Sequence, residues 1–299
     1  MPRPQGKSAV LSTASSGRRR KLVLLTSWGV FASLCGGCAP ALVPTAASPA
    51  GAVVEQKADD ALVQFSLIAA LAAGDYAEGI PLQEVLTSGD FGLGTFDRLE
   101  GEMIVLDGQM YQALADGTLR AANLDSTTPF AEVKFFREDG RADHMAARSL
   151  EDLDEQLDRM LKRRNVPYAL RLDGHFSALT LRSVPAQTPP FQPLVNVVKH
   201  QSTWPLKDVT GTLIGFRCPP WVGTLNVPGY HWHFLSEDRT LGGHVLNCEF
   251  ADGLLQFDEC EAVTIRLSDS AGFDAFDVNS VGKQDINAIE RQRKEPASK

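Results

Sequence analysis

The chain has 299 residues, a formal charge of −8 and 43% hydrophobic content, enough apolar material for a globular core. Residues 1–50 hold six bases and no acid, which leaves 23 bases against 37 acids, a charge of −14, over residues 51–299. That balance excludes a basic face for nucleic acid.

The first element in chain order is an export signal. Arg18-Arg19-Arg20-Lys21 is a basic segment, and Leu22 to Leu34 is an apolar run too short for a comfortable membrane span. Small residues and Pro/Ala/Ser-rich sequence follow to Ala52. We therefore expect a leader over residues 1–50 and an exported bacterial protein, periplasmic, secreted or lipid-anchored. Leu34-Cys35-Gly36-Gly37-Cys38 loosely resembles a lipoprotein box, which makes Cys38 the candidate for lipidation and membrane anchoring. Cys218, Cys248 and Cys260 remain beyond the leader, an odd number with no Cys-x-x-Cys, so a thiolate zinc site is not expected.

Asp59 to Ala73 has apolar residues at helical spacing and ends at Gly74, and Ile80 to Leu86 predicts a shorter helix closed by Gly89. Met103 to Leu106 predicts a buried strand, Asp107-Gly108 a hairpin turn, and Gln109 to Leu114 the returning strand. Gly92, Gly94 and Gly101 are not a phosphate loop, because no Lys-Ser/Thr follows them. Glu102 opens the strand after Gly101. Pro129 to Phe136 predicts another strand, and Ser149 to Arg164 an amphipathic helix capped by Ser149. Ala169–Phe176 and Ala178–Val184 predict a hairpin in which Arg182 alternates against Leu181.

Pro185 to Pro193 reads as a linker between a half at 58–184 and a half at 194–290, with 291–299 a tail. Val195 to His200 predicts a short helix, and Val209–Phe216, Leu254–Phe257 and Ala262–Leu267 predict strands. The chain ends in a polar helical turn over Ile286 to Arg293. Many strands with a few helices, not strictly alternating, predict an α+β or mixed α/β fold of two β-sheet-rich halves.

The densest chemistry lies at Tyr230 to Val245, which holds three of the six histidines. His231 and His233 are two apart and share one face of a strand, with Trp232 and Phe234 on the other. Ser236-Glu237-Asp238-Arg239 and Gly242-Gly243 read as the loop of a hairpin. If His233 stands opposite Leu246, His244 stands opposite Leu235 and joins the same face. Three converging imidazoles are the ligand type of a catalytic zinc site with an open position. This hairpin would place the metal between the two halves.

Together these stretches resemble the α-acetolactate decarboxylase family. The residues that carry the likeness are Gly92-Leu93-Gly94-Thr95-Phe96, Gly101-Glu102-Met103-Ile104-Val105-Leu106-Asp107-Gly108, Thr128-Pro129-Phe130-Ala131, Asn226-Val227-Pro228-Gly229-Tyr230-His231-Trp232-His233-Phe234 and Gly242-Gly243-His244-Val245. Glu100 stands where Asp is expected, and Trp232 where an aliphatic is expected. The resemblance implies a homodimer and a zinc ion held by His231, His233, His244, Glu102 and Glu290. It also gives Arg182 the place of the active-site arginine and Thr95 that of a site-lining threonine. It implies decarboxylation of 2-acetolactate to (R)-acetoin, with zinc as Lewis acid on the ketone and hydroxyl oxygens. Arg182 would grip the carboxylate and a glutamate would protonate the enediolate. No organic cofactor is expected.

Two other readings compete. A cupin-like metal-binding protein or oxygenase would add Glu237 to the ligands, since Gly229-x-His231-x-His233-x₃-Glu237 resembles the first cupin motif. A non-catalytic metal-binding lipoprotein would account for the leader but not for Arg182 and Glu102.

Overall fold

The computed structural model describes residues 60–278 together with 281, 286 and 289. The expected leader over 1–50, Cys38, Glu290 and the tail 291–299 lie outside the described residues. Among the described residues, no helix is long and apolar enough to cross a membrane.

The chain opens with β1 (Ala61–Phe65), then α1 (Ile68–Ala73). The helix expected over 59–73 is thus a strand followed by one turn and a half of helix. Ser66, at φ 63°, turns the chain between them, and Gly74 at φ 110° ends the helix. Leu62 and Phe65 suit a helix stripe as well as a strand. The ladder bonds of β1 to two neighbours decide the outcome. Next come β2 (Ile80–Pro81), α2 (Leu82–Leu86), β3 (Phe91–Thr95), β4 (Glu102–Leu106), β5 (Gln109–Ala113), β6 (Leu119–Ala121), β7 (Thr127–Thr128) and β8 (Ala131–Lys134). Asp107 and Gly108 both have positive φ, as the two-residue turn between β4 and β5 requires. The Gly-rich stretch at 91–95 is itself a strand. A Cβ on Gly94 would lie 2.4 Å from the Phe130 carbonyl oxygen, so glycine there lets β3 and β8 close up.

The second part contains β9 (Gly140–Ala147), α3 (Leu150–Met160), β10 (Tyr168–Ser183), α4 (Leu194–Val197), β11 (Ser202–Cys218), β12 (Gly229–Ser236), β13 (Gly242–Glu259), β14 (Ala262–Arg266) and α5 (Ala271–Ala275). Ser149 caps α3 by accepting the Asp152 N–H at 3.1 Å. The hairpin expected over 169–184 is one continuous strand, β10. Gly174 does not turn the chain but crosses Gly211 and Gly253 on its two neighbours. Register shifts against β13 near this point bend the strand instead of ending it.

The strands form a seven-stranded sheet, β14-β1-β8-β3-β4-β5-β6, and a five-stranded sheet, β10-β11-β12-β13-β9. A further β10–β13 pairing closes β10, β11, β12 and β13 into a ring. The protein is therefore mostly β-sheet with few helices. The sheets exchange strands across the Pro-rich segment. β14 follows it and joins the seven-stranded sheet, while β9 and β10 precede it and join the five-stranded one.

One apolar layer lies between the sheets, built from Phe91, Leu93, Ile104 and Leu106 on one side and Ile214, Phe216 and Leu235 on the other. Each such buried side chain stabilises the fold by about 1.5–3 kcal/mol. The outer face of the five-stranded sheet packs Trp232, Phe234 and Phe176 with Leu153 and Leu157 of α3.

Candidate metal centre and active site

Alternation along β12 decides which side chains meet. Trp232 and Phe234 take the outer face with α3, and Leu235 enters the layer between the sheets. His231 and His233 share the parity of Leu235 and so face the seven-stranded sheet. On β4, Glu102 shares the parity of Ile104 and Leu106 and faces back toward them. The site is a polar end of the layer whose middle is apolar.

The returning strand completes the cluster. His233 pairs directly with His244, Phe234 with Gly243, and Leu235 with Gly242. The pairing expected from sequence set His233 opposite Leu246, so the observed register differs by two residues. A shift of two preserves the face, and the three imidazoles converge as expected. The loop is shorter than expected because Gly242 and Gly243 belong to β13. Across the ring, Arg182 on β10 pairs with His244. Arg182, His244 and His233 therefore occupy one cross-strand row on one face.

The three histidines are buried, with ligand nitrogens all within 4.8 Å of one another. Their ring centroids lie 5.1 to 5.3 Å apart. His233 Nδ1 lies 2.7 Å from the Met103 carbonyl oxygen, so Nδ1 carries the proton and Nε2 presents its lone pair. Burial first, then the neighbouring His231, hold His233 well below the usual imidazole range, so it is neutral. Its Nε2 is buried with no hydrogen-bond partner among the described residues. A neutral imidazole with a buried, unbonded lone pair beside two others is a donor set that a divalent metal of the zinc type would satisfy.

Glu102 and Arg182 adjoin this donor set, each 5% exposed. Glu102 Oε2 lies 3.6 Å from His233 Nε2, and its Oε1 lies 3.5 Å from Arg182 Nη1. Thr95 stands opposite Glu102 in the β3–β4 ladder and donates its hydroxyl to the Gly101 carbonyl at 2.8 Å. A cavity of about 40 Å³ is bordered by Thr95, Glu102, Arg182, His231 and His233, with Ile68, Leu71, Leu99, Phe130, Val184 and Leu194 as its apolar wall. A larger cavity of about 450 Å³ at Trp221 and Ile265 contains none of the expected site residues.

Glu290 lies outside the described residues. Glu237, the extra ligand of the cupin-like reading, is exposed on the hairpin turn and is not part of the metal-competent group. Cys218, Cys248 and Cys260 are buried free thiols outside that group.

Sequence reasoning missed Glu132. This carboxylate is 0% exposed on β8 and its Oε1 lies 3.6 Å from His231 Nδ1. The signal available was alternation: Ala131 and Val133 pack on the far side of the sheet with Met103 and Val105, which sends Glu132 toward the histidines.

With the geometry in hand, known proteins can be compared. A family model described as alpha-acetolactate decarboxylase matches residues 62–280. The alpha-acetolactate decarboxylase of Methanosarcina mazei is 40% identical over 238 residues, covering 80% of this chain and 83% of that protein. That of Raoultella terrigena is 40% identical over 217 residues, covering 72% of this chain and 83% of that protein. The crystal structure of alpha-acetolactate decarboxylase from Bacillus subtilis strain 168 is similar with a TM-score of 0.75 at 33% identity, covering 77% of this chain and 99% of that one.

Proposed function

The chain belongs to the alpha-acetolactate decarboxylase family, and on that premise we propose that it converts 2-acetolactate to (R)-acetoin and carbon dioxide with the help of zinc. The observation that carries this reading is the convergence of three buried imidazoles, Glu102 and Arg182 at the polar end of one layer. His231, His233 and His244 would hold the metal, joined by Glu102 and Glu290. Bound zinc would supply Lewis acidity toward the oxygens of the substrate.

The remaining work belongs to the side chains. Arg182, buried and planar, grips the substrate carboxylate in a charge-assisted, two-pronged contact. When the carbon–carboxylate bond breaks, its electron pair moves toward the ketone carbon and charge develops on the ketone oxygen. Burial raises the value of fixed charges aimed at that oxygen. The wall of Ile68, Leu71, Leu99 and Phe130 accommodates the two methyl groups and excludes water. With water excluded, the proton that completes acetoin comes from a carboxylic acid on one face, Glu102 or Glu290. One enantiomer results. Thr95 borders the same space and limits how the substrate can turn.

The test combines metal analysis with a colour assay for acetoin on the purified chain. We expect about one zinc per chain, with zinc and activity lost together on chelation. Zinc-loaded protein that forms no acetoin from acetolactate would overturn the proposal. The same reading includes a homodimer, checked by light scattering. It also includes export with a mature start between about Cys38 and Ala52, for which an intact Met1 start in the native host would be decisive against.

A further inference from the structure

We infer that Glu132 is a positioning residue that orients His231 toward the metal, and that Asn226 in turn fixes Glu132. The inference rests on the metal reading given above.

A fully buried carboxylate is costly unless its oxygens are bonded. Glu132 Oε2 accepts from Asn226 Nδ2 at 2.6 Å. Asn226 is 2% exposed, and its own Oδ1 accepts the Val227 N–H at 2.6 Å, which fixes which way its amide points. Glu132 Oε1 is buried with no hydrogen-bond partner among the described residues and stands 3.6 Å from His231 Nδ1. Lys134, next on the same face, is engaged by Asp258 at 3.2 Å and Asp60 at 3.6 Å.

The arrangement parallels that of the neighbouring histidine. His233 gives its Nδ1 proton to an acceptor on β4, the Met103 carbonyl. His231 faces an acceptor on β8, the Glu132 carboxylate. In both cases the seven-stranded sheet supplies the acceptor and the five-stranded sheet supplies the imidazole. With Nδ1–H given to this carboxylate, Nε2 would be the His231 nitrogen left to hold the metal. A carboxylate behind a histidine also makes that histidine a stronger donor than a carbonyl does.

Glu132→Gln keeps the shape and removes one acceptor. One end of the new amide is an NH₂, which must face either Asn226 Nδ2 or His231 Nδ1, both donors. Zinc affinity of the purified full chain, measured by chelator competition, should therefore fall about 10- to 100-fold. Nitrogen-15 spectra of the zinc-free protein should show one imidazole losing its Nδ1–H signature. If Glu132→Gln does not fold, Asn226→Ala decides. It leaves the carboxylate in place but loose, and should weaken zinc in the same direction by less. His231→Ala is the control that separates the two readings. If it loses zinc while the Glu132 and Asn226 variants bind like the parent, the positioning role is wrong and the metal site stands. If His231→Ala also keeps zinc, the metal reading fails and this inference falls with it.

Discussion

Arg182 and Glu102 meet with 3.5 Å between Nη1 and Oε1, both nine-tenths or more buried. A guanidinium has no lone pair for a metal, so Arg182→Lys should keep zinc and fold. An ammonium cannot reproduce the two-pronged grip, and loss of one charge-assisted contact in the transition state costs about 3 kcal/mol, roughly 10²-fold in turnover. Glu102→Gln should instead lower zinc affinity and turnover together, because the residue adjoins both His233 and Arg182. Zinc content and acetoin formation measured side by side on the two variants check this, and parental turnover in Arg182→Lys would remove Arg182 from the chemistry. At this scale the histidines were legible, since alternation alone sends His231 and His233 to one face. Glu102 and Arg182 stood out only by resemblance to a family. Glu132 did not stand out at all. Ala131-Glu132-Val133-Lys134 has the pattern of a strand with one wet face, and only the five-stranded sheet covering it makes that face dry.

The β12–β13 hairpin holds the site together, and its turn is built around one hydroxyl. Ser236 Oγ accepts the N–H groups of Thr240 at 3.1 Å and Leu241 at 2.9 Å and donates to Asp238 at 2.7 Å. Ser236 is 2% exposed, so Ser236→Ala leaves the Leu241 N–H without its acceptor, while the Thr240 N–H keeps Asp238 Oδ1 at 3.1 Å. Stability to urea should fall by about 1–3 kcal/mol, and an unchanged midpoint would show that the turn is fixed by its backbone alone. Elements bounded by local chemistry were read well from sequence: the Asp107-Gly108 turn, the Ser149-capped α3, the return of β5. Elements fixed by distant partners were not. β1 looked helical because Leu62, Phe65 and Ile68 fit both periods, and β10 looked like a hairpin broken at Ser177, whereas its ladder with β11 runs straight through that point. The two-residue error in the histidine register has the same origin, since Gly242 and Gly243 are turn-forming residues that here lie in a strand. Gly242 does so because a Cβ there would press on Ile104 and Leu119 of the other sheet, each at 2.9 Å.

Across the described residues a second polar group ties the sheets together, away from the histidine cluster. Lys134 at the end of β8 pairs with Asp258 near the end of β13 and with Asp60 ahead of β1. Burial pushes the Asp258 carboxyl up to about 6, with Lys134 and the Arg137 N–H pulling against it. A carboxyl whose folded value is raised contributes most below its unfolded value, near 3.8, and loses that contribution as pH rises through about 6. The stability of the parent relative to Asp258→Asn should therefore fall between about pH 4 and pH 6 and level off on either side. Urea titrations of both proteins across that window measure it, and a difference that does not vary with pH would mean that Asp258 does not titrate there. The ring of β10, β11, β12 and β13 has a consequence in time as well as in space. Three of its strands are 16, 17 and 18 residues long, and the last must be present before the first gains its second neighbour. Pairing over such distances along the chain is slow, and until closure each long strand presents a bare edge to other molecules. Arg182 and His244 become neighbours only at that closing step. The three histidines sit on the β12–β13 hairpin, which can pair before that step, whereas the full row of His233, His244 and Arg182 is assembled only when the ring closes.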